Sequence, residues 1–223
     1  MTMETVLFLA HTEAGGGLAK TALEALEAAR SLGGTLVVGL AGAEVQQAAN
    51  AIAGCGAARI LGVSGEAFGQ PRYASDAAAA EALCRASGAT LVVAPSTSRW
   101  ARVLPGVAHR LGGAVDTHVS GLEASDAGPA VTRWYYRQRM EGVLARTRRP
   151  WILLVEAGIR PAWSGAAGTA TVENVPLELP EMRTEVCGVR APEAGEQTIR
   201  PDADLLFVAG AGWTKKQADG KAH

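Results

Sequence analysis

Short apolar runs alternate along the first half of the chain with stretches in which apolar residues recur every three or four positions. Val6 to Ala10 is an uninterrupted apolar run, which suits a strand covered on both faces. After Gly15-Gly16-Gly17, the segment Leu18 to Leu32 places Leu18, Ala22, Leu26 and Ala29 on one helical face, with Lys20 and Glu24 on the exposed side. Gly33-Gly34 stops that helix. Thr35 to Ala41 reads as a second buried strand, and Ala43 to Ala53 as a helix with Val45, Ala48, Ala49 and Ile52 inward. Arg59 to Val63 is a third strand. Ser75-Asp76 opens an alanine-rich helix to Ser87, with serine as the cap and aspartate favoured by the helix dipole. Thr90 to Ala94 is a fourth strand, and Arg102 to Leu111 the next helix, in which Pro105 is expected within the first turn. Strand and helix alternating with short connections predict an α/β fold with a doubly wound, mostly parallel sheet and right-handed crossovers.

The pattern then changes. Ala114 to Glu123, Val131 to Arg139, Val143 to Arg148 and Trp151 to Glu156 read as strands. The break at 126–129 and a turn placed at Glu141-Gly142 predict an antiparallel hairpin on the sheet edge. Trp151-Ile-Leu-Leu-Val155 is expected to be a central buried strand. From Gly158 to Gln197 no helical period survives, and Thr171–Val175 and Glu185–Val189 are expected as short extended pieces in a connecting arm. Asp204 to Ala209 is a new apolar strand, followed by the turn Gly210-Ala211-Gly212. It reads as the first element of a further domain that stops short at His223. The expected organisation is therefore an α/β domain over 1–200 and a truncated second domain over 201–223.

Composition narrows the function classes. With 48% hydrophobic and 19% charged residues in 223, a sizeable core is possible. A net charge of −1 argues against nucleic acid or an anionic membrane as the main partner. No apolar run approaches the ~20 residues of a spanning helix, and the N-terminal apolar run lacks a basic flank, so a cytoplasmic chain without a targeting segment is expected. Cys55, Cys84 and Cys187 stand far apart with no paired spacing, which predicts buried apolar fillers and no metal site.

Candidate chemistry is sparse. Gly15-Gly16-Gly17 lies where doubly wound folds hold a phosphate, but its spacing matches no dinucleotide or Walker motif, so a plain turn is favoured. Ser96, Thr97 and Ser98 follow a strand but form no nucleophile elbow, and helix capping accounts for them better. His11, His109 and His118 have no evident acid partner in sequence. Arg133, Arg137, Arg139, Arg146, Arg148 and Arg149 interleave with Trp134, Tyr135 and Tyr136. That reads as a solvated strand face plus an interface, not a nucleic-acid site.

The stretch LVVAPSTSRWARVLPGVAHRL (Leu91 to Leu111), the strand around Asp116-Thr117-His118 and the hairpin RWYYRQRMEGVLART (Arg133 to Thr147) occur in an order that resembles the first domain of the α subunit of electron-transferring flavoproteins. In that family a strand ending "AP(A/S)T" precedes a "LLPRVAARL" helix, an "SDV" strand and an "AGNA…ATVR" hairpin. Here Met140-Glu141-Gly142 replaces Ala-Gly-Asn, and Asp116-Thr117-His118 replaces the Ser-Asp pair. The resemblance implies an adenine-nucleotide α-hydrolase-like fold and a non-catalytic electron carrier. It implies FAD as cofactor, held mostly by the second domain, and AMP in a partner β subunit that meets this domain near the hairpin. Electrons then come from a flavoprotein dehydrogenase and go to a quinone oxidoreductase. DLLFVAGAGWTKK (Asp204 to Lys216) is similar to the family's "ARVVVSGGRG" opening of the FAD domain, which implies Gly210, Ala211, Gly212 and Trp213 beside the flavin. Ala211 stands where the family has arginine. The alternative is a free-standing adenine-nucleotide-binding module of the stress-protein type. A hydrolase using Ser96 or Ser98 is a weaker third reading, for lack of a triad.

Overall fold

The computed structural model describes residues 3–125, 128–188, 190, 205, 207–208 and 210. Two compact units divide the chain, Met1–Val186 and Cys187–His223. In the first unit the elements are β1 (Thr5–His11), α1 (Lys20–Ser31), β2 (Thr35–Gly42), α2 (Gln46–Ala51), β3 (Arg59–Ser64), α3 (Tyr73–Ser87), β4 (Leu91–Pro95), α4 (Ser98–Arg110), β5 (Ala114–Ser125), β6 (Gly128–Tyr135), β7 (Met140–Leu144), β8 (Trp151–Val155) and β9 (Glu173–Asn174). They build one sheet in the order β7-β6-β5-β8-β4-β1-β2-β3-β9. Every pairing from β5 across to β9 is parallel, and β5-β6 and β6-β7 are antiparallel. This is the expected doubly wound α/β sheet with an antiparallel edge hairpin.

Alternation along β1 explains the two layers. Val6, Phe8 and Ala10 join the core under α1 and α2, whereas Leu7 and Leu9 join the core under α3 and α4. Because both faces are covered, the central strands are continuously apolar rather than alternating. Trp151 heads β8, which lies between β4 and β5 and is buried along its whole length, as expected of a central strand. After β8 an extended strap crosses the α1-α2 layer. Trp163 N–H donates to Leu23 O at 3.2 Å and Gly168 N–H to Asn50 O at 2.9 Å, before β9 pairs with β3. The expected extended piece at Thr171–Val175 thus contains β9, while residues 185–188 carry no strand.

Several local expectations change in three dimensions. Glu24 is buried, not exposed: its carboxylate accepts from Gly158 N–H at 2.8 Å, so the strap consumes the charge. Ser75 does not cap α3, which begins at Tyr73 after an uncapped Arg72; Ser75 is fully buried and Asp76 turns onto Arg99. Pro105 is the eighth residue of α4, not in its first turn. It lies on the exposed side with Ala101, so water can satisfy the carbonyl that loses its helical partner. The hairpin tip is Tyr136–Arg139 rather than Glu141-Gly142. Tyr136, Arg137 and Gln138 have φ of 48°, 57° and 63°, so the turn is left-handed without glycine. Gly142 sits inside β7 opposite Arg133 because a Cβ there would come within 2.9 Å of the Tyr135 ring.

Candidate functional site

In an open parallel sheet the ligand crevice forms outside the carboxyl ends of the strands where their order reverses. Here the chain runs outward from β1 through β2 to β3, then returns to place β4 on the other side of β1. A crevice of about 390 Å³ opens at that point, lined by His11 to Ala14 after β1, by Gly69 and Pro71, and by Thr97 to Arg99 and Arg102 on α4.

Thr97 is the cap of α4, as the hydroxyl run suggested. Its Oγ1 accepts the Trp100 amide at 3.2 Å and lies 3.4 Å from His11 Nε2. His11 Nδ1 lies 3.4 Å from Thr12 O; with the proton on that nitrogen, Nε2 is free to accept from the Thr97 hydroxyl. Burial, and secondly the positive charge of Arg99, hold His11 below the usual histidine range and therefore neutral at pH 7. Arg99 is 7% exposed and Asp76 is fully buried. The guanidinium donates to both Asp76 oxygens, at 2.9 and 2.6 Å, and to Phe68 O at 2.6 Å. Gly15 and Gly17, by contrast, have open space around them and do not line the crevice, in keeping with a plain turn.

A second constellation fixes the edge hairpin. Asp116 on β5, 1% exposed, accepts from Arg146 through two nitrogens, from Arg133 Nη1 at 3.3 Å and from Trp151 Nε1 at 2.8 Å. Burial pushes this carboxyl up, but hydrogen bonds from Arg146, Trp151 and Arg133 outweigh it and hold it below the ordinary value. Arg149 pairs with Glu4 at 2.6 Å. Three arginines of the basic-aromatic run are thus structural, and Arg133 also lies over the Tyr135 ring at 4.7 Å. The hairpin exposes Trp134, Tyr136, Met140 and Val143 beside the charged and polar Arg137, Gln138, Arg139 and Glu141. Nothing in the spacing of Asp116 announced its role, because its partners arrive from β6, β8 and the loop after β7.

The remaining candidates are dispersed. His109 is exposed, and His118 meets Glu156 at 2.8 Å on the surface. Cys55 and Cys84 are buried, and burial pushes the Cys84 thiol up to about 12, which removes it as a nucleophile; Cys187 is exposed, so the filler expectation fails there. Among the described residues no cluster of His, Cys, Asp or Glu could hold a metal, and no helix is long and apolar enough to cross a membrane. Of the expected flavin residues, Gly210 is described and a Cβ added to it meets nothing; Ala211, Gly212 and Trp213 lie outside the described residues, as do Asp204, Leu206 and Ala209, while Leu205, Phe207 and Val208 of the expected strand are exposed and carry no strand. No curated protein matches the chain. A family model described as "Electron transfer flavoprotein domain" matches residues 6–180.

Proposed function

The chain belongs to the electron transfer flavoprotein family, and from that premise we propose that it is an α subunit that carries electrons and catalyses no reaction of its own. In this reading the carrier takes electrons from a flavoprotein dehydrogenase and delivers them to a quinone oxidoreductase in a cytoplasmic setting. Bound FAD supplies the redox chemistry, and the partner β subunit holds AMP. Residues 1–200 act as the docking domain. Residues 201–223 open the FAD-binding domain, with Gly210, Ala211, Gly212 and Trp213 beside the flavin.

The family match over 6–180 carries this reading. The hairpin supports it: Val143 is 70% and Tyr136 74% exposed on a sheet edge, and apolar groups of that size suit a partner surface. The test is co-expression of the chain with an electron-transferring flavoprotein β subunit, followed by native mass spectrometry. The expected outcome is a one-to-one complex retaining AMP, weakened by Val143→Lys, which puts a charge into the contact. A chain that stays monomeric beside that subunit refutes the assignment.

A further inference from the structure

The two ends of the sheet differ. At one end β9 is two residues long, and so short an edge offers little for another chain to pair with. At the other end β7 pairs with β6 from Val131–Leu144 to Tyr135–Met140 without a register shift. It has no proline, lysine or bulge of the kind that closes an exposed edge, and its one charge is Glu141. In an antiparallel pair every second residue turns its N–H and C=O away from its neighbour. Among the described residues no strand lies beyond β7 to take those groups. Building on the α-subunit reading, we propose that β7 receives an extended segment of the partner subunit as a further antiparallel strand, with a lysine or arginine of that segment facing Glu141.

Side chains set the register of such a strand. Val131 and Leu144 pair on the hairpin face that packs on the core beneath α1. On the opposite face Val143 pairs with Thr132 and Glu141 with Trp134, and Val143, Glu141 and Trp134 are exposed. A strand laid along β7 therefore sets one side chain beside Val143 and, two residues on, another beside Glu141. The Glu141 carboxylate has no ion-pair or hydrogen-bond partner among the described residues. Opposite charges directly across a ladder stabilise it and like charges weaken it. The incoming segment thus carries an apolar residue at the first place and a basic one at the second. Main-chain bonds supply affinity in this mode, and alternate side chains supply the choice of partner.

A second copy of this chain meets the requirement poorly. Antiparallel pairing of β7 with itself over Met140–Leu144 centres on Gly142 and sets Glu141 opposite Val143 of the other copy, so no cation reaches the carboxylate. Parallel pairing in register brings the two carboxylates together. A strand of different sequence is therefore the better occupant. The Asp116 cluster supports the platform from behind: Arg133 on β6 and Arg146 just after β7 both donate to that one carboxylate, which ties the hairpin to β5.

Hydrogen exchange read amide by amide tests this, on the 223-residue chain alone and on its co-expressed complex with an electron-transferring flavoprotein β subunit. In the chain alone alternate β7 amides should exchange freely, and in the complex they should slow about tenfold or more as they gain acceptors. Glu141→Lys should raise the Kd of the complex about tenfold, because an attractive pair across the ladder becomes a repulsive one. It should leave the Tm of the chain unchanged, since that carboxylate has no partner among the described residues. A complex that forms while the β7 amides exchange as in the free chain overturns strand addition and leaves the α-subunit reading standing. Absence of any complex overturns both. An unchanged Kd for Glu141→Lys overturns the proposed pairing. Protection of β7 in the chain alone that grows with its concentration puts a second copy on the edge, and overturns the proposal as well.

Discussion

Replacing Asp116 with alanine removes one small side chain and orphans three donors. The buried Trp151 N–H loses its acceptor at 2.8 Å, and an unpaired buried donor costs about 1–3 kcal/mol. Arg133 and Arg146 lose their counter-charge, but their side chains are 20% and 41% exposed and can turn to water, so their share is small. The sum is about 2–4 kcal/mol, which for a unit of this size corresponds to a fall in Tm of roughly 5–12 °C. Thermal unfolding followed by circular dichroism measures it directly. Asp116→Asn, which keeps an acceptor for Trp151 and drops the charge, should lie between wild type and alanine. The dependence on pH has a definite sign. The folded carboxyl sits below its ordinary 3.8, so its stabilisation is present above that value and fades as pH falls through the folded pKa. The gap between wild type and Asp116→Asn should therefore narrow from pH 7 towards pH 3. A Tm for Asp116→Ala within about 1 °C of wild type would show that the arginines and the indole find other partners, and that the cluster does not secure the hairpin.

Two further substitutions test the packing. Gly34→Ala combines φ of 84° with a Cβ 2.3 Å from Glu4 O, a backbone atom that already accepts the Thr35 amide. It should cost clearly more than the roughly 1–2 kcal/mol of left-handed strain expected for Gly33→Ala, whose Cβ meets only open space; equal urea midpoints for the two variants would contradict the contact. Trp151→Asp buries a second carboxylate beside Asp116 in a central strand and leaves an indole-sized void, so a loss above about 4 kcal/mol is expected; an unchanged melting temperature would refute the burial of β8.

Much of the fold was legible because periodicity reports burial. β1, β2, β3, β4 and β8 are short, mainly apolar runs bounded by turns, which suits strands covered on both faces. The face of α1 was readable for the same reason, and Thr97 was readable as a cap because a hydroxyl just before a helix meets orphan amides. Turn chemistry was the weaker guide. Glycine at position 142 suggested a tip, yet it serves the ring of Tyr135, and the real turn uses Tyr136, Arg137 and Gln138 in left-handed conformations that their residue types do not advertise.

The chain's own order of apolar and polar positions thus determined the layers, the parallel centre and the antiparallel edge, all of which depend on interactions within a few residues or on which face a residue must hide. Tertiary structure alone decided what sites exist. His11 meets Thr97 across 86 residues, Asp116 gathers donors from three separate segments, and Glu24 is buried only because the strap brings Gly158 to it. Those meetings follow from the crossover that puts β4 beside β1 and from the return of β8 between β4 and β5. A crossover places distant residues in contact at a cost set by the whole sheet, so no local pattern encodes it.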